Sequence, residues 1–434
     1  MREMKNSGIE WIGDIPADWI CNKTFRIFDI IGSGTTPKSD NDNNFIGSIP
    51  WIQSGDINGG ILQNTKNTVS EEVVQKYSAL KIYNAPFIVL AMYGASIGNI
   101  SWSIIDGCVN QACCVLSNGH IQTKYAFYTL KSAQDYLIYK GIGGGQPNIS
   151  QDTIKQLWLP TPSIKEQHRI ADYLDCKCAE IDVVIEKTKA TIEEYKKLKQ
   201  SVITEAVTKG IGGDRPMKDS GIEWIGEIPA EWNIGKIKYG VSKVGSGKTP
   251  LGGSESYADE GILFLRSQNI YDTGLSLESP TYITTEVDEE MKNTRVYPYD
   301  VLLNITGGSI GRCCIFPEEY VQANVNQHVS IIRVIDTIFT PEYMHYYWLS
   351  SLGHTAIDLY QTGGNREGMS ADAIKNSPIP IIAIDEQKEI VKYLDNKCAE
   401  IDTLIAKKTT LLEEMENYKK SVIYEYVTGK KEVE

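Results

Sequence analysis

MKNSGIEWIGDIPADW, running from Met4 to Trp19, is written a second time as MKDSGIEWIGEIPAEW from Met217 to Trp232. Self-similarity over so long a period marks a repeated domain rather than a short motif. The copy continues at the same offset of 213 through GSGTTP (Gly32 to Pro37) and GSGKTP (Gly245 to Pro250), then through Ser96-Ile97-Gly98 and Ser309-Ile310-Gly311. The offset grows to 216 at Val109-Asn110-Gln111 and Val325-Asn326-Gln327. It reaches 220 at YLDCKCAEID (Tyr173 to Asp182) and YLDNKCAEID (Tyr393 to Asp402). Insertions that leave both flanks intact belong in surface loops.

Within one copy, runs such as IPWIQSGDI and APFIVLAMYGASIGNISW are rich in β-branched and aromatic residues and broken by glycine, the pattern of short strands. A helical run follows from Lys124 to Lys140. The second copy offers GILFLRSQNI, DVLLNITGGSIGRCCIF and a helix from about Pro341 to Tyr360, with proline in its first turn. Each copy therefore reads as an α+β domain, and both should share one fold.

Two charged segments, from about Ile164 to Thr208 and from about Ile384 to Thr428, contain no proline or glycine and predict long helices. In the first, Leu174, Ile181, Tyr195 and Val202 share one heptad position, and Cys178, Ile185, Ile192 and Ala206 share another. Thr188 and Lys199 interrupt the stripe. The second repeats it with Leu394, Ile401, Met415 and Val422, and with Cys398, Ile405, Leu412 and Tyr426, broken at Lys408 and Lys419. About 45 residues at about 1.5 Å each would span roughly 65 Å, longer than one domain's core requires. The blander reading packs each helix on its own domain. The length favours an antiparallel coiled coil between two homologous domains, with pseudo-two-fold, circular organisation. The boundaries are 1–160 and 214–380 for the domains, and 161–213 and 381–434 for the helices.

With 434 residues the chain can hold more than one core. No run is long and apolar enough to span a bilayer, and the start of the chain lacks a signal-peptide pattern, so a cytoplasmic protein is expected. Nine cysteines, including the adjacent pairs Cys113-Cys114 and Cys313-Cys314, read as small buried residues in a reducing compartment. The net charge of -13 argues against simple phosphate attraction over the whole surface. Residues 1 to 160 carry 12 basic and 13 acidic side chains, whereas residues 214 to 380 carry 13 and 22. Any nucleic-acid affinity must come from local placement of charge or from partners, and the chain alone should bind weakly.

Three doubled features resemble the specificity subunits of type I restriction-modification enzymes. They are the SGIEWIGxIPAxW opening, the stretches LPTPSIKEQHRIADYLD and IPIIAIDEQKEIVKYLD entering each helix, and the endings SVITEAVTKG and SVIYEYVTGK. The resemblance implies two target-recognition domains, each reading one half of a split, asymmetric site in double-stranded DNA, with the helices fixing the spacer. It also implies a non-catalytic chain that directs adenine methylation and restriction by others. Two modification subunits would carry S-adenosylmethionine, and two restriction subunits would add ATP- and Mg-dependent translocation and cleavage. Rigid separation of two readers selects half-sites by distance and helical phase, as in other two-headed DNA-binding proteins.

Base edges are read by paired donors and acceptors, chiefly on Arg, Lys, Asn and Gln, while small polar groups hold phosphates. In the first domain the candidates are Ser33, Thr35, Thr36, Lys38, Gln53, Ser54, Tyr93, Ser96, Gln146 and Asn148. In the second they are Ser246, Lys248, Thr249, Arg266, Gln268, Asn269, Thr306, Ser309, Arg312, Asn365 and Arg366. The competing reading of each is a turn residue chosen for backbone geometry. Asn110-Gln111 and Asn326-Gln327, embedded in apolar runs, are expected to be buried braces and are set apart from the candidates.

GSGKTP lacks the earlier glycine of a nucleotide-binding loop, since Ser242 stands there, and its copy has Thr35 in place of Lys248. His120, His168, His328, His345 and His354 show no metal-ligand spacing, and no hydrolase elbow or adenine-methyltransferase motif occurs. No catalytic residue, cofactor or metal is assigned to this chain. The alternative from another class is a two-domain scaffold, held apart by a coiled coil, with no DNA function.

Overall fold

A computed structural model describes residues 2–38, 42–141, 148–362 and 368–433. The chain divides into two units, one of Met1–Thr188 with Thr410–Glu434 and one of Lys189–Thr409. Each unit thus contains one complete repeat, the near part of the helix that follows it and the far part of the other helix.

The first unit opens with a hairpin, Met4–Asn6 against Asp14–Pro16, made by the doubled segment itself. Its main sheet has five strands in the order Phe28–Gly32, Cys113–Gly119, Phe87–Ala91, Ile100–Ser103 and Ile61–Leu62, antiparallel except at the last junction. A smaller sheet sets Cys108–Val109 parallel to Ile49–Ile52, which pairs antiparallel with Asn67–Val69. The second unit repeats the plan. Its hairpin is Met217–Asp219 with Glu227–Pro229, and Ala323–Val325 runs parallel to Ile262–Leu265. Val241–Ser246, Val329–Val334, Val301–Asn304 and Cys313–Ile315 form an antiparallel sheet.

The helical run expected over Lys124–Lys140 is two helices, Thr123–Ser132 and Gln134–Gly141. That expected over Pro341–Tyr360 is likewise Pro341–Leu349 and Ser351–Tyr360. In the second unit Ser350 turns to extended geometry and its hydroxyl donates to the Tyr347 carbonyl at 2.6 Å. Gly353 then lies so close to the first helix that a Cβ would meet the Trp348 Cα at 2.6 Å. Apolar residues of both helices in each pair enter one core cluster, so the apolar pattern carries across the break.

The central helix is Ile164–Lys209 and the distal helix Ile384–Val427. Within the first unit they pair antiparallel: Tyr173 packs on Tyr426 with ring centroids 4.4 Å apart, and Lys419 Nζ meets Asp182. Within the second unit Lys199 Nζ lies 2.7 Å from Asp402. Leu174, Ile181, Ile185, Ile192, Leu394, Ile401 and Val422 are buried, and Val202, Ile405 and Leu412 are partly buried. The predicted seam is therefore occupied, and two of the three lysines that break it, Lys199 and Lys419, form matching ion pairs across it.

The stretches that enter the helices act as latches. Glu166 accepts from the Trp19 indole at 3.1 Å and pairs with Arg2; Glu386 accepts from the Trp232 indole at 3.0 Å and pairs with Arg215. Gln167 and Gln387 accept the backbone N–H of Gln122 and Thr340, each at 2.8 Å, where the domain helices begin. In the first unit the distal helix returns to the chain's opening segment: Tyr424 donates to the Ile12 carbonyl at 3.0 Å, and the Val427 carbonyl accepts from Tyr125.

Candidate nucleic-acid interface

In the first unit the GSGTTP loop leaves the sheet edge and lies against the end of Cys108–Val109. A Cβ on Gly34 would sit 1.8 Å from the Val109 carbonyl oxygen, so glycine is required by the approach itself. The Ser33 and Thr35 carbonyls accept from Tyr83 and from the Trp51 indole, leaving their side chains half-buried at the loop surface. Thr36 donates to Gln111 at 2.5 Å, and Lys38 is exposed. The turn after Ile49–Ile52 is closed by the Gln53 N–H donating to Asp56, while the Gln53 side-chain oxygen accepts from Asn67 at 2.8 Å. Ser96 ties the neighbouring loop to this turn through the Ser54 carbonyl at 2.7 Å. Tyr93 bridges to Asn148, which is exposed. Gln146 lies outside the described residues.

The second unit builds the same cradle with other side chains. A Cβ on Gly247 would sit 1.9 Å from the Val325 carbonyl oxygen. Thr249 donates to Gln327, and Ser246 and Lys248 are exposed. The Arg266 N–H donates to Asn269 at 2.9 Å, copying the turn at Gln53; Asn269 is buried and gives its amide to the Ser276 carbonyl. Gln268 is exposed. Asn304 joins two loops by donating to the Ser267 carbonyl and to the Ser309 hydroxyl. Thr306 meets His328 Nδ1 at 2.6 Å and bridges to Gly368. Asn365 and Arg366 lie outside the described residues.

The second domain's described arginines divide by partner. Arg215, Arg295 and Arg333 are each paired with carboxylates. Arg266 and Arg312 form no salt bridge among the described residues. They lie over tyrosine rings instead, Arg266 6.0 Å from Tyr257 and Arg312 4.7 Å from Tyr271. The Arg266 Nε is buried without a hydrogen-bond partner. An arginine held on an aromatic face, with no carboxylate to neutralise it, is poised for an anionic or acceptor-rich ligand.

One expectation is corrected. Asn110 is buried and Asn326 half-buried, but Gln111 and Gln327 are exposed and hydrogen-bond to the candidate loops. The apolar run ends one residue earlier than the sequence suggests: Asn110 and Asn326 each accept the N–H two residues ahead, turning the chain so that the glutamine emerges. The asparagine-initiated turn was the available signal.

Seven of the nine cysteines are buried and none is in a disulfide; burial pushes the Cys113, Cys114 and Cys314 thiols up to about 12. Among the described residues no group of three His, Cys, Asp or Glu could hold a metal ion. No described helix is long and apolar enough to cross a membrane.

Two repeated α+β domains, antiparallel helix segments and paired polar loop cradles define a class of duplicated recognition proteins. The profile described as "Type I restriction modification DNA specificity domain" matches residues 19–194 and 229–414, and the chain belongs to that family. It is 24% identical to the type I restriction enzyme MjaVIII specificity subunit of Methanocaldococcus jannaschii, over 96% of this chain and 93% of the relative. It is 24% identical to the EcoBI specificity subunit of Escherichia coli, over 99% and 89%. The fold is similar to that of a chain solved in work on complex assembly and conformational transition of the type I R-M system. There the TM-score is 0.71 at 15% identity, covering 95% of this chain and 98% of that one. The role is DNA sequence recognition within a restriction-modification complex; the chain is its non-catalytic specificity subunit, and the scaffold reading falls away.

Proposed function

We propose that residues 1–160 and 214–380 each read one half of a split, asymmetric DNA target, and that residues 161–213 and 381–434 set the spacer between the halves. The observation that carries this reading is the loop cradle, built twice on the same backbone plan with different side chains on it. Gln53 in one corresponds to Arg266 in the other, and Thr35 to Lys248. Arg favours the paired acceptors of guanine and Gln the acceptor and donor of adenine, so the two cradles suit different bases. Ser33, Thr36, Lys38, Ser54, Tyr93, Ser96, Gln146 and Asn148 supply the remaining contacts in the first domain. Ser246, Thr249, Gln268, Thr306, Ser309, Arg312, Asn365 and Arg366 supply them in the second, whereas Asn269, buried with both side-chain groups bonded inside the domain, braces the turn instead of contacting DNA. Long helices without proline or glycine, paired antiparallel inside each unit, support the spacer role.

The complex comprises two modification subunits, which bind S-adenosylmethionine and methylate adenine, and two restriction subunits, which use ATP and Mg, all in the cytoplasm. With a net charge of -13, this chain's affinity for DNA comes from local placement of charge or from cationic surface on those partners. The test is to mix the chain with its modification partner and S-adenosylmethionine and to map methylated adenines on genomic DNA. One two-part motif with a fixed gap is expected; methylation without a motif, or at a continuous motif, contradicts the proposal.

A further inference from the structure

The exposed glutamines Gln111 and Gln327 stand at matching places and are held in matching ways. Asn110 and Asn326 accept from the N–H of Ala112 at 3.0 Å and His328 at 3.1 Å, and their own N–H groups donate to Ile52 and Leu265. Each turn is thereby pinned to the neighbouring parallel strand. Gly34 and Gly247 let the loop lie flat on the strand end, which brings the Thr36 and Thr249 hydroxyls onto the glutamine Oε1. The threonine hydroxyl orients each amide by taking one lone pair of Oε1, and Nε2 keeps one hydrogen for a ligand beside one engaged by a neighbour, Tyr93 in the first domain and His328 Nε2 at 3.2 Å in the second.

Around this pair the side chains change from one domain to the other: Thr35 to Lys248, Gln53 to Arg266, Tyr93 to Thr306, Asn99 to Arg312 and Ala112 to His328. The glycine, threonine, asparagine and glutamine do not. Contacts that read bases must differ between domains that read different half-sites, whereas contacts to the sugar-phosphate backbone need not. We propose that Thr36–Gln111 and Thr249–Gln327 are sequence-independent clamps, one per domain, each donating from the glutamine amide to a DNA phosphate. They fix the register in which the variable neighbours meet base edges.

This inference rests on the DNA-reading role proposed above, and the wild-type complex tests that role separately by its methylation of one split motif. With that motif in hand, Q111A and Q327A in the full complex should each weaken binding about tenfold or more, as loss of a hydrogen bond to a charged group does. The loss should be equal on duplexes with and without the target. Both halves of the motif should stay unchanged, and the salt dependence should hold, because a neutral donor releases no counterion. Q111E keeps an oxygen for Thr36 but repels a phosphate, so it should bind more weakly than Q111A while unfolding at the wild-type temperature. A relaxed base in one half-site, unchanged DNA affinity, loss of the modification partner, or a Q111E effect no larger than that of Q111A overturns the proposal.

Discussion

Arg266 and Gln53 hold the first position of the same tight turn, closed by Asn269 in one domain and Asp56 in the other. The backbone does not distinguish them, so their difference is free to serve recognition. Arg266→Gln should relax or change the preferred base in one half-site and leave the other half and the gap intact, as read by methylated-adenine mapping. Equal loss at both halves would show that the residue supports folding or assembly instead. At this scale the sequence was informative about loops and poor about side chains. The GSG loops and the turns at Gln53 and Arg266 could be picked by composition. The emergence of Gln111 and Gln327 depends on a single asparagine-capped turn that an apolar run conceals, and the burial of Asn269 depends on a distant carbonyl at Ser276.

The long helices were legible because their heptad pattern is local, and their ends agree with expectation to within a residue or so. What the pattern could not reveal is that two of its four interruptions, Lys199 and Lys419, are paired across the helices. Asp182 with Lys419 and Asp402 with Lys199 are half-exposed bridges, each worth about 0.2–1 kcal/mol. Asp182→Lys should lower the stability of the first unit by about that amount, and adding Lys419→Asp should recover most of it in a double-mutant cycle. Additive losses would mean that the two residues do not interact. The latch at the helix entrance is stronger. Glu386 serves the almost fully buried Trp232 indole and the Arg215 guanidinium together. Glu386→Ala should cost about 2–3 kcal/mol in thermal unfolding, because it strands a buried donor, and Glu386→Gln should cost less by keeping an acceptor. Equal losses would remove the indole from the explanation. The same latch at Glu166 and Trp19 gives a physical reason for the doubling of the tryptophan that ends the opening segment and of the EQ pair: the glutamate serves the indole, and the glutamine serves the first turn of the domain helix.

For the molecule as a whole, the duplication decided the fold class from sequence alone, because two texts that agree in their apolar positions must build one frame twice. The exact division into units was less legible. Each unit takes helix from two distant parts of the chain, which the expected antiparallel, circular arrangement anticipates, but the points at which the helices divide, near Thr188 and Thr410, carry no local signal. The functional claim is that two homologous domains act as separate readers whose outputs are combined. The most direct measurement replaces residues 214–380 with a second copy of residues 1–160 and maps the adenines methylated by the resulting complex. If each domain reads its own half, the target becomes symmetric, the first half-site recurring in inverted orientation. Methylation that persists at the original asymmetric motif would contradict the account.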